Sequence, residues 1–70
     1  MENIKYYNLM KELEKGKDIN LPFQIFKILL EEQIVNMDDN GAVGLTDKGF
    51  DSNMDDIIEI LTKHDIEVID

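Results

Sequence analysis

Two side chains of the sequence are candidates for nucleophilic catalysis: the single serine, Ser52, and the single histidine, His64. A serine nucleophile needs a base within hydrogen-bonding distance. Both residues fall on one predicted helix, where their separation in the chain corresponds to about 18 Å at a rise of about 1.5 Å per residue. Ser52 is better interpreted as a helix cap, and His64 as a surface residue at the C-terminal end. The sequence also has no cysteine and no glycine-rich phosphate loop, so we expect no enzymatic activity and no catalytic residue.

One segment has the spacing of a metal site. It matches positions of the calcium loop of EF-hand proteins at Asn36, Asp38, Asn40, Gly41, Val43 and Asp47. The first position is Asn where Asp is usual, and the last is Asp where a bidentate Glu is usual. The same residues form a hairpin pattern, so calcium binding is kept as an alternative and we expect no cofactor. Zinc is not expected, because one histidine without cysteine cannot make a Cys/His cluster.

The third chemical feature is negative charge. Sixteen Asp and Glu residues oppose seven Lys residues, there is no Arg, and the formal net charge is −9. Residues 31–70 hold twelve of the acidic groups but only two lysines, Lys48 and Lys63. Arg is preferred for bidentate contacts with phosphate, and DNA would repel this chain on average. Two interpretations stay open: the charge provides solubility alone, or it forms an acidic face for a basic surface.

Helical spacing of apolar residues predicts the first two elements. A first helix is predicted over residues 4–14, and a second over about residues 21–33. Asn20 would cap the second helix, and Pro22 is tolerated in its first turn. The second helix is apolar over more than half of its circumference, which is typical of a helix covered on two sides. Its two stripes are Phe23, Phe26 and Leu30, and Leu21, Ile25, Ile28 and Leu29.

Asn40-Gly41 predicts a hairpin, and the apolar residues around it predict the register. A two-residue loop would place Val35 opposite Thr46, so that the apolar side chains of the two strands would not face one another. A three-residue loop of residues 39–41 places Val35 opposite Leu45 and Met37 opposite Val43, which makes one apolar face. It also puts Gly41 in the left-handed position that such loops require. We therefore predict the three-residue loop.

The third helix is predicted to begin near Ser52. Ser52 and Asp55 resemble a capping box, and further acidic residues surround this helix start. Residues 66–69 begin with alternating apolar and polar side chains, which predicts a short terminal strand. The complete prediction is a single domain over residues 1–70 of class α+β, with three helices, a wing-like β-hairpin and a short C-terminal strand.

The prediction for partner binding combines the acidic face with the second apolar stripe. A chain of 70 residues has few elements to cover both stripes, and an exposed apolar patch usually marks an association site. The candidate partner-binding residues are Asp38, Asp39, Asp51, Asp55, Asp56, Glu59, Ile25 and Leu29. A second copy of the chain is a further candidate partner. We also expect truncation of Phe23 or Phe26 to destabilise the domain strongly.

Residues 29–35, LLEEQIV, followed by a hairpin and by LTDKGF at residues 45–50, resemble winged-helix proteins. Small phage-associated winged-helix proteins of the YjcQ type are similar over roughly residues 4–62. The resemblance implies a winged-helix-like domain. Residues 54–61, MDDIIEIL, and residues 66–70, IEVID, resemble the acidic region 1.1 of housekeeping sigma factors. In that family a small helical domain occupies the DNA channel of RNA polymerase.

Together these features predict an acidic protein-binding module that covers a basic, nucleic-acid-binding surface of a partner, as a DNA-mimic-like inhibitor or regulator. A winged-helix transcription regulator that binds DNA weakly as a dimer is the first alternative, and the calcium-binding loop is the second. Residues 1–15 lack the apolar stretch of a signal peptide. The cysteine-free composition fits a reducing compartment, so the cytoplasm is the expected location, with no membrane partner.

Overall fold

The structure, a computed structural model, describes residues 2–70, which form four short strands and four helices. Three helices contain nine or ten residues, and one contains five. This is the predicted α+β class. In chain order the elements are β1 (Glu2–Lys5), α1 (Tyr6–Glu14), α2 (Phe23–Glu31), β2 (Val35–Met37), β3 (Val43–Leu45), α3 (Asp47–Asp51), α4 (Met54–Lys63) and β4 (Ile66–Ile69).

The β2–β3 hairpin has the predicted register. Val35 lies opposite Leu45, and Met37 lies opposite Val43, in an antiparallel pair. Val35 is buried, Leu45 and Val43 are half-buried, and Met37 at the end of the face is exposed. Burial of one face fixes the register, because a shift by one residue would turn the buried side chains towards water.

The hairpin loop also has the predicted length. The backbone N–H of Asp38 donates to the carbonyl oxygen of Ala42 at 2.9 Å, which leaves residues 39–41 as the loop. Gly41 closes this loop with φ of 85° and donates its N–H to the carbonyl oxygen of Asp38 at 3.0 Å. A positive φ at this position is favourable for glycine and costly for most other residues.

A loop segment borders the free edge of β3. The backbone N–H of Leu45 donates to the carbonyl oxygen of Gly16 at 2.9 Å, and that of Ile19 donates to Val43 at 3.0 Å. Lys17 forms an isolated antiparallel bridge with Gly44. The connection between α1 and α2 therefore covers part of a strand edge whose backbone groups would otherwise face water.

The predicted first helix begins two residues too early. Residues 2–5 form β1, which pairs in parallel with β4, so that Glu2 lies opposite Ile66 and Ile4 opposite Val68. The terminal strand β4 was predicted, but its partner was missed. Four residues with one apolar side chain, Ile4, have no strand pattern of their own. Their conformation is fixed by a strand more than sixty residues later in the chain.

The core consists of aliphatic side chains from β1, α1, α2, β2, α4, β4 and the connections that precede α2 and β2. In α1 the buried pair is four residues apart, and in α4 the same spacing recurs, as expected for one face of an amphipathic helix. No helix within residues 2–70 is long and apolar enough to cross a membrane. The buried residues are Ile4, Leu9, Leu13, Ile19, Ile25, Leu29, Ile34, Val35, Ile57, Leu61 and Ile66.

The structure reverses the prediction for the two stripes of α2. Ile25 and Leu29, predicted as partner-binding residues, are both 0% exposed and belong to the core. Phe23 is instead 69% exposed, while Phe26 packs half-buried against the core. The expectation that truncation of Phe23 would unfold the domain is therefore wrong, because an exposed side chain has little burial to lose. Both stripes are apolar, so their composition gave no basis for choosing which one faces inward.

The helix caps also differ from the prediction. The side chain of Asn53, not that of Ser52, caps α4 by accepting from the backbone N–H of Asp56 at 2.9 Å. Ser52 donates its hydroxyl to the carbonyl oxygen of Lys48 at 2.7 Å. Asn20 does not cap α2, which begins directly after Pro22. Ser52 and Asn53 are adjacent and both types are favoured as caps, so the sequence did not distinguish them, whereas the N-cap residue of α2, Pro22, makes no side-chain cap hydrogen bond.

The short helix α3 was not predicted, and it joins the hairpin to α4. Thr46 caps it, with its hydroxyl oxygen accepting from the backbone N–H of Gly49 at 3.0 Å. Gly49 is buried, and a Cβ added there would overlap the carbonyl oxygen of Ile34. The same carbonyl accepts from the backbone N–H of Thr46 at 3.0 Å. Glycine thus lets α3 lie directly against the start of the hairpin.

Candidate functional site

Four of the predicted partner-binding carboxylates surround the N-terminal half of α4, and we refer to Asp51, Asp55, Asp56 and Glu59 as the α4 acidic cluster. All four residues are exposed. Asp55 and Asp56 lie in the first turn of α4, where the partial positive charge of the helix dipole stabilises them. Glu59 follows Asp55 by four residues and Asp56 by three, so it lies on the same side of the helix as both. The burial of Ile57 and Leu61 turns this acidic side outward.

Little in the described residues neutralises the α4 acidic cluster. Of its members, Glu59 alone has a basic nitrogen within 4.0 Å among residues 2–70, at 3.5 Å from Lys63 Nζ. Both side chains of this pair are more than 60% exposed, and such pairs contribute little to stability. Lys48 points elsewhere, with Nζ donating to the carbonyl oxygen of Glu32 at 2.9 Å. The cluster therefore presents its negative charge to the solvent.

The two hairpin carboxylates have different surroundings. One carboxylate oxygen of Asp38 accepts from the backbone N–H groups of Asn40 and Ala42, each at 2.9 Å. Asp38 thus stabilises the turn, because an Asp at the start of a turn satisfies backbone donors that the loop leaves open. Asp39 is exposed in the loop itself. Of these two residues, Asp39 is the better placed to contact another molecule.

The calcium pattern folds as a hairpin. Asn36 and Val43 lie in paired strands, and the side-chain oxygen of Asn36 accepts from the backbone N–H of Met37 at 2.9 Å. Asp47 begins α3 beyond the end of β3. Within residues 2–70, no group of three or more His, Cys, Asp and Glu side chains is arranged to hold a metal ion. The loop conformation that wraps ligands around calcium in EF-hands is replaced here by strand pairing.

Ser52 and His64 are held apart. Ser52 precedes the cap of α4, and His64 follows its last residue, so a ten-residue helix separates them. His64 Nε2 lies 4.0 Å from Glu32 Oε2, and both side chains are partly exposed. The structure does not bring the serine and the histidine together as a nucleophile and its base.

A groove that the sequence analysis missed has a mainly apolar lining. It has a volume of about 300 Å³ and lies between α1, β3, α3 and α4. Phe50, in α3, lines this groove and is 66% exposed. An aromatic residue within the polar stretch from Asp47 to Asn53 was the available signal in the sequence. We name this feature the Phe50 groove; its apolar lining is Met10, Leu13, Leu45, Phe50, Met54 and Ile57.

One carboxylate has a perturbed pKa, and its role is structural. The side chain of Lys15, at 2.7 Å, and then the backbone N–H of Asn20, at 2.9 Å, hold the pKa of the Glu12 carboxyl below its ordinary value. These hydrogen bonds favour the charged form. Glu12 thereby connects α1 to the segment that precedes α2.

Comparison of the chain with protein-family models, with curated proteins and with solved structures finds no match. The resemblances to winged-helix proteins and to sigma region 1.1 therefore stay predictions from the residues. Between the first helix and the hairpin the structure contains one helix, α2, whereas winged-helix proteins have two.

Proposed function

We propose that this chain is an acidic protein-binding module that covers a basic, nucleic-acid-binding surface of a partner protein in the cytoplasm. The observation that carries this proposal is the α4 acidic cluster, four exposed carboxylates of which one, Glu59, has a basic neighbour within 4.0 Å among the described residues. A basic surface that normally contacts phosphates would find carboxylates in their place. Such complementarity accelerates encounter and selects the partner more than it adds affinity.

The net charge supports a protein partner over nucleic acid. At −9 with no Arg, the chain lacks the basic footprint that provides most of the non-specific affinity for DNA. Helix positions three and four residues apart place Cβ atoms about 5–6 Å from each other. Asp55, Asp56 and Glu59 therefore lie close together on one side of α4, and Asp51 lies at the end of the preceding helix. This concentration of negative charge on a folded support is the property that a phosphate mimic requires.

The proposal includes no enzymatic step. Ser52 donates to a backbone carbonyl, and His64 lies at the other end of α4. The alternative of a DNA-binding regulator draws its support from the hairpin alone. Mobility-shift measurements with duplex DNA at about 150 mM salt separate the two, because only the regulator would retard DNA under conditions that screen weak contacts. We expect no retardation.

The direct test compares capture from a cell lysate by the wild type and by a neutralised variant, D51N/D55N/D56N/E59Q. The wild type should retain nucleic-acid-binding proteins, and added duplex DNA should displace them. The variant should lose this capture, since it lacks the charges that attract the basic surface. A matched control, E2Q/E31Q/E67Q/D70N, removes the same number of exposed carboxylates elsewhere and should retain it.

Two results would reject the proposal. Equal loss in both variants would mean that overall charge, and not the α4 acidic cluster, determines capture. Capture that DNA does not displace would mean that the partner surface is not its nucleic-acid-binding surface. Thermal melting of each variant confirms that it is folded before the comparison is made.

A further inference from the structure

We infer that the Phe50 groove receives an apolar anchor from a basic amphipathic helix of the partner. This inference rests on the proposed function and locates the place where the partner docks. The lining of the groove is mainly apolar and contains one carboxylate, Glu14, and Asp51 of the α4 acidic cluster directly follows the lining residue Phe50 in the chain. A helix with one apolar and one basic face matches both features at once, as in other helix-in-groove complexes.

The mainly apolar groove is suited to a protein side chain. Its volume of about 300 Å³ is at the lower end for ligand pockets, so the groove fits an anchor side chain better than a drug-sized ligand. Met10 and Met54 line it and are half-buried. Methionine side chains are flexible and polarizable, which allows a groove to adapt to different apolar side chains.

Phe50 is the most accessible part of this surface. Its ring lies over Gly16, where an added Cβ would be 3.4 Å from Cζ of the ring. The ring therefore lies beside the segment that follows α1. Because the ring is 66% exposed, a partner side chain could cover it and bury apolar area without a rearrangement of the core.

The charge around the groove selects the class of occupant. Glu14 lines the groove, and none of the described residues that line it is basic. The chain neighbours of the lining residues include the carboxylates Asp51 and Asp55 and also the lysines Lys11, Lys15 and Lys48. Residues 47–59 contain five carboxylates and one lysine. A helix with Lys or Arg beside its apolar stripe meets opposite charge here, whereas a second copy of this chain would bring its own net charge of −9 and be repelled.

The experiment measures binding of a defined probe by fluorescence anisotropy. The probe is a peptide of about 14 residues made of Leu and Lys at helical spacing, and its control has the same composition in scrambled order. At about 150 mM salt, the wild type should bind the amphipathic peptide at least about tenfold more tightly than the scrambled one. Charge alone would not distinguish the two peptides, since their net charges are equal.

The groove itself is tested with a pair of matched variants. Phe50→Ala should weaken binding of the amphipathic peptide by at least about tenfold, as expected for an aromatic anchor contact. Phe23→Ala removes an equally exposed ring, 69% against 66%, from α2 and should bind like the wild type. Amide chemical-shift changes on peptide addition should concentrate in residues 10–14 and 49–57.

Equal effects of the two Phe variants, or equal binding of the two peptides, would overturn the inference. Self-association that Phe50→Ala abolishes would also overturn it, because the groove would then belong to a second copy. Failure of the proposed function has a different signature: peptide binding still depends on Phe50, but lysate capture is not displaced by DNA. Capture that needs the α4 acidic cluster but not Phe50 would leave the proposed function standing and reject the groove.

Discussion

The two sheets of this protein each contain two short strands. The sequence predicted one of them fully and the other only in part. The hairpin β2–β3 joins strands that are close in the chain, and its register was predicted correctly. The β1–β4 pair joins the two ends of the described chain in parallel, and half of it was missed. A hairpin register follows from the apolar face and the turn, which are both set by residues close in the chain. A parallel pair depends instead on a long connection that closes only when the core forms.

This difference has consequences for stability. The hairpin contains its own turn hydrogen bonds, around Asp38 and Gly41. The β1–β4 pair has no turn, and its two buried side chains, Ile4 and Ile66, anchor it in the core. We therefore expect damage to the parallel pair to affect the whole domain, and damage at the hairpin loop to affect mainly that loop.

The largest effect is expected from Ile66→Ala. Ile66 is buried in β4, and truncation of a buried Ile costs about 2–5 kcal/mol. For a small domain with a stability of about 5 kcal/mol, this loss would unfold a large part of the population. The measurement is the free energy of unfolding in urea. The conservative variant Ile66→Val should lose only about 0.5–1.5 kcal/mol, and a loss for Ile66→Ala below that range would show that β4 is dispensable.

The second largest effect is expected at the junction between the hairpin and α3. Gly49→Ala introduces a Cβ that overlaps the carbonyl oxygen of Ile34, so α3 must move away from the hairpin, at a cost of about 1–3 kcal/mol. The melting temperature should fall accordingly. Asp51 lies in the same helix and is exposed, so Asp51→Ala should change the free energy of unfolding by no more than about 0.5 kcal/mol. If both variants melt alike, the close approach at Gly49 has no energetic importance.

A smaller effect is expected at the hairpin loop. Gly41→Ala places a side chain at φ of 85°, which costs about 1–2 kcal/mol for an L-residue. Space is not the cause, since a Cβ there would have no neighbour within 4 Å. Gly41→Asn should recover most of this loss, because Asn tolerates left-handed backbone. Cross-strand contacts measured by NMR should still show Val35 opposite Leu45; a shifted register would mean that the loop, not the apolar face, determines the pairing.

The smallest effect is a pH dependence at the segment that borders β3. Because the pKa of Glu12 is lowered in the folded state, its contribution is present above the unfolded pKa of about 4.3 and is lost as pH falls through the folded value. Urea unfolding between about pH 3 and 7 should show a smaller stability change for Glu12→Gln than for the wild type. Glu14→Gln, an exposed neighbour on the same helix, is the control. Identical pH profiles of Glu12→Gln and the wild type would contradict the role assigned to the Glu12 hydrogen bonds.

The sequence predicted the charged residues of the candidate site. It did not predict the apolar groove or which stripe of α2 is buried. The α4 acidic cluster was found because carboxylates at a helix start have a local signature in the sequence. Ile25 and Leu29 were assigned to the surface because α2 has two apolar stripes, and only contact with the other elements buries one of them. The Phe50 groove was missed for a related reason. Its lining comes from four separate elements, and no sequence spacing relates residues of α1 to residues of α3.

Composition gave the net charge, and residues close in the chain predicted the hairpin loop with Gly41, its register and the terminal strand β4. The last three follow from backbone preference and from periodic burial over a few residues. The tertiary structure decided that residues 2–5 form a strand, that Ile25 faces inward and Phe23 outward, and that Gly49 touches the start of the hairpin. These outcomes depend on pairing and packing between distant segments, whose free energy is gained only when the whole core assembles.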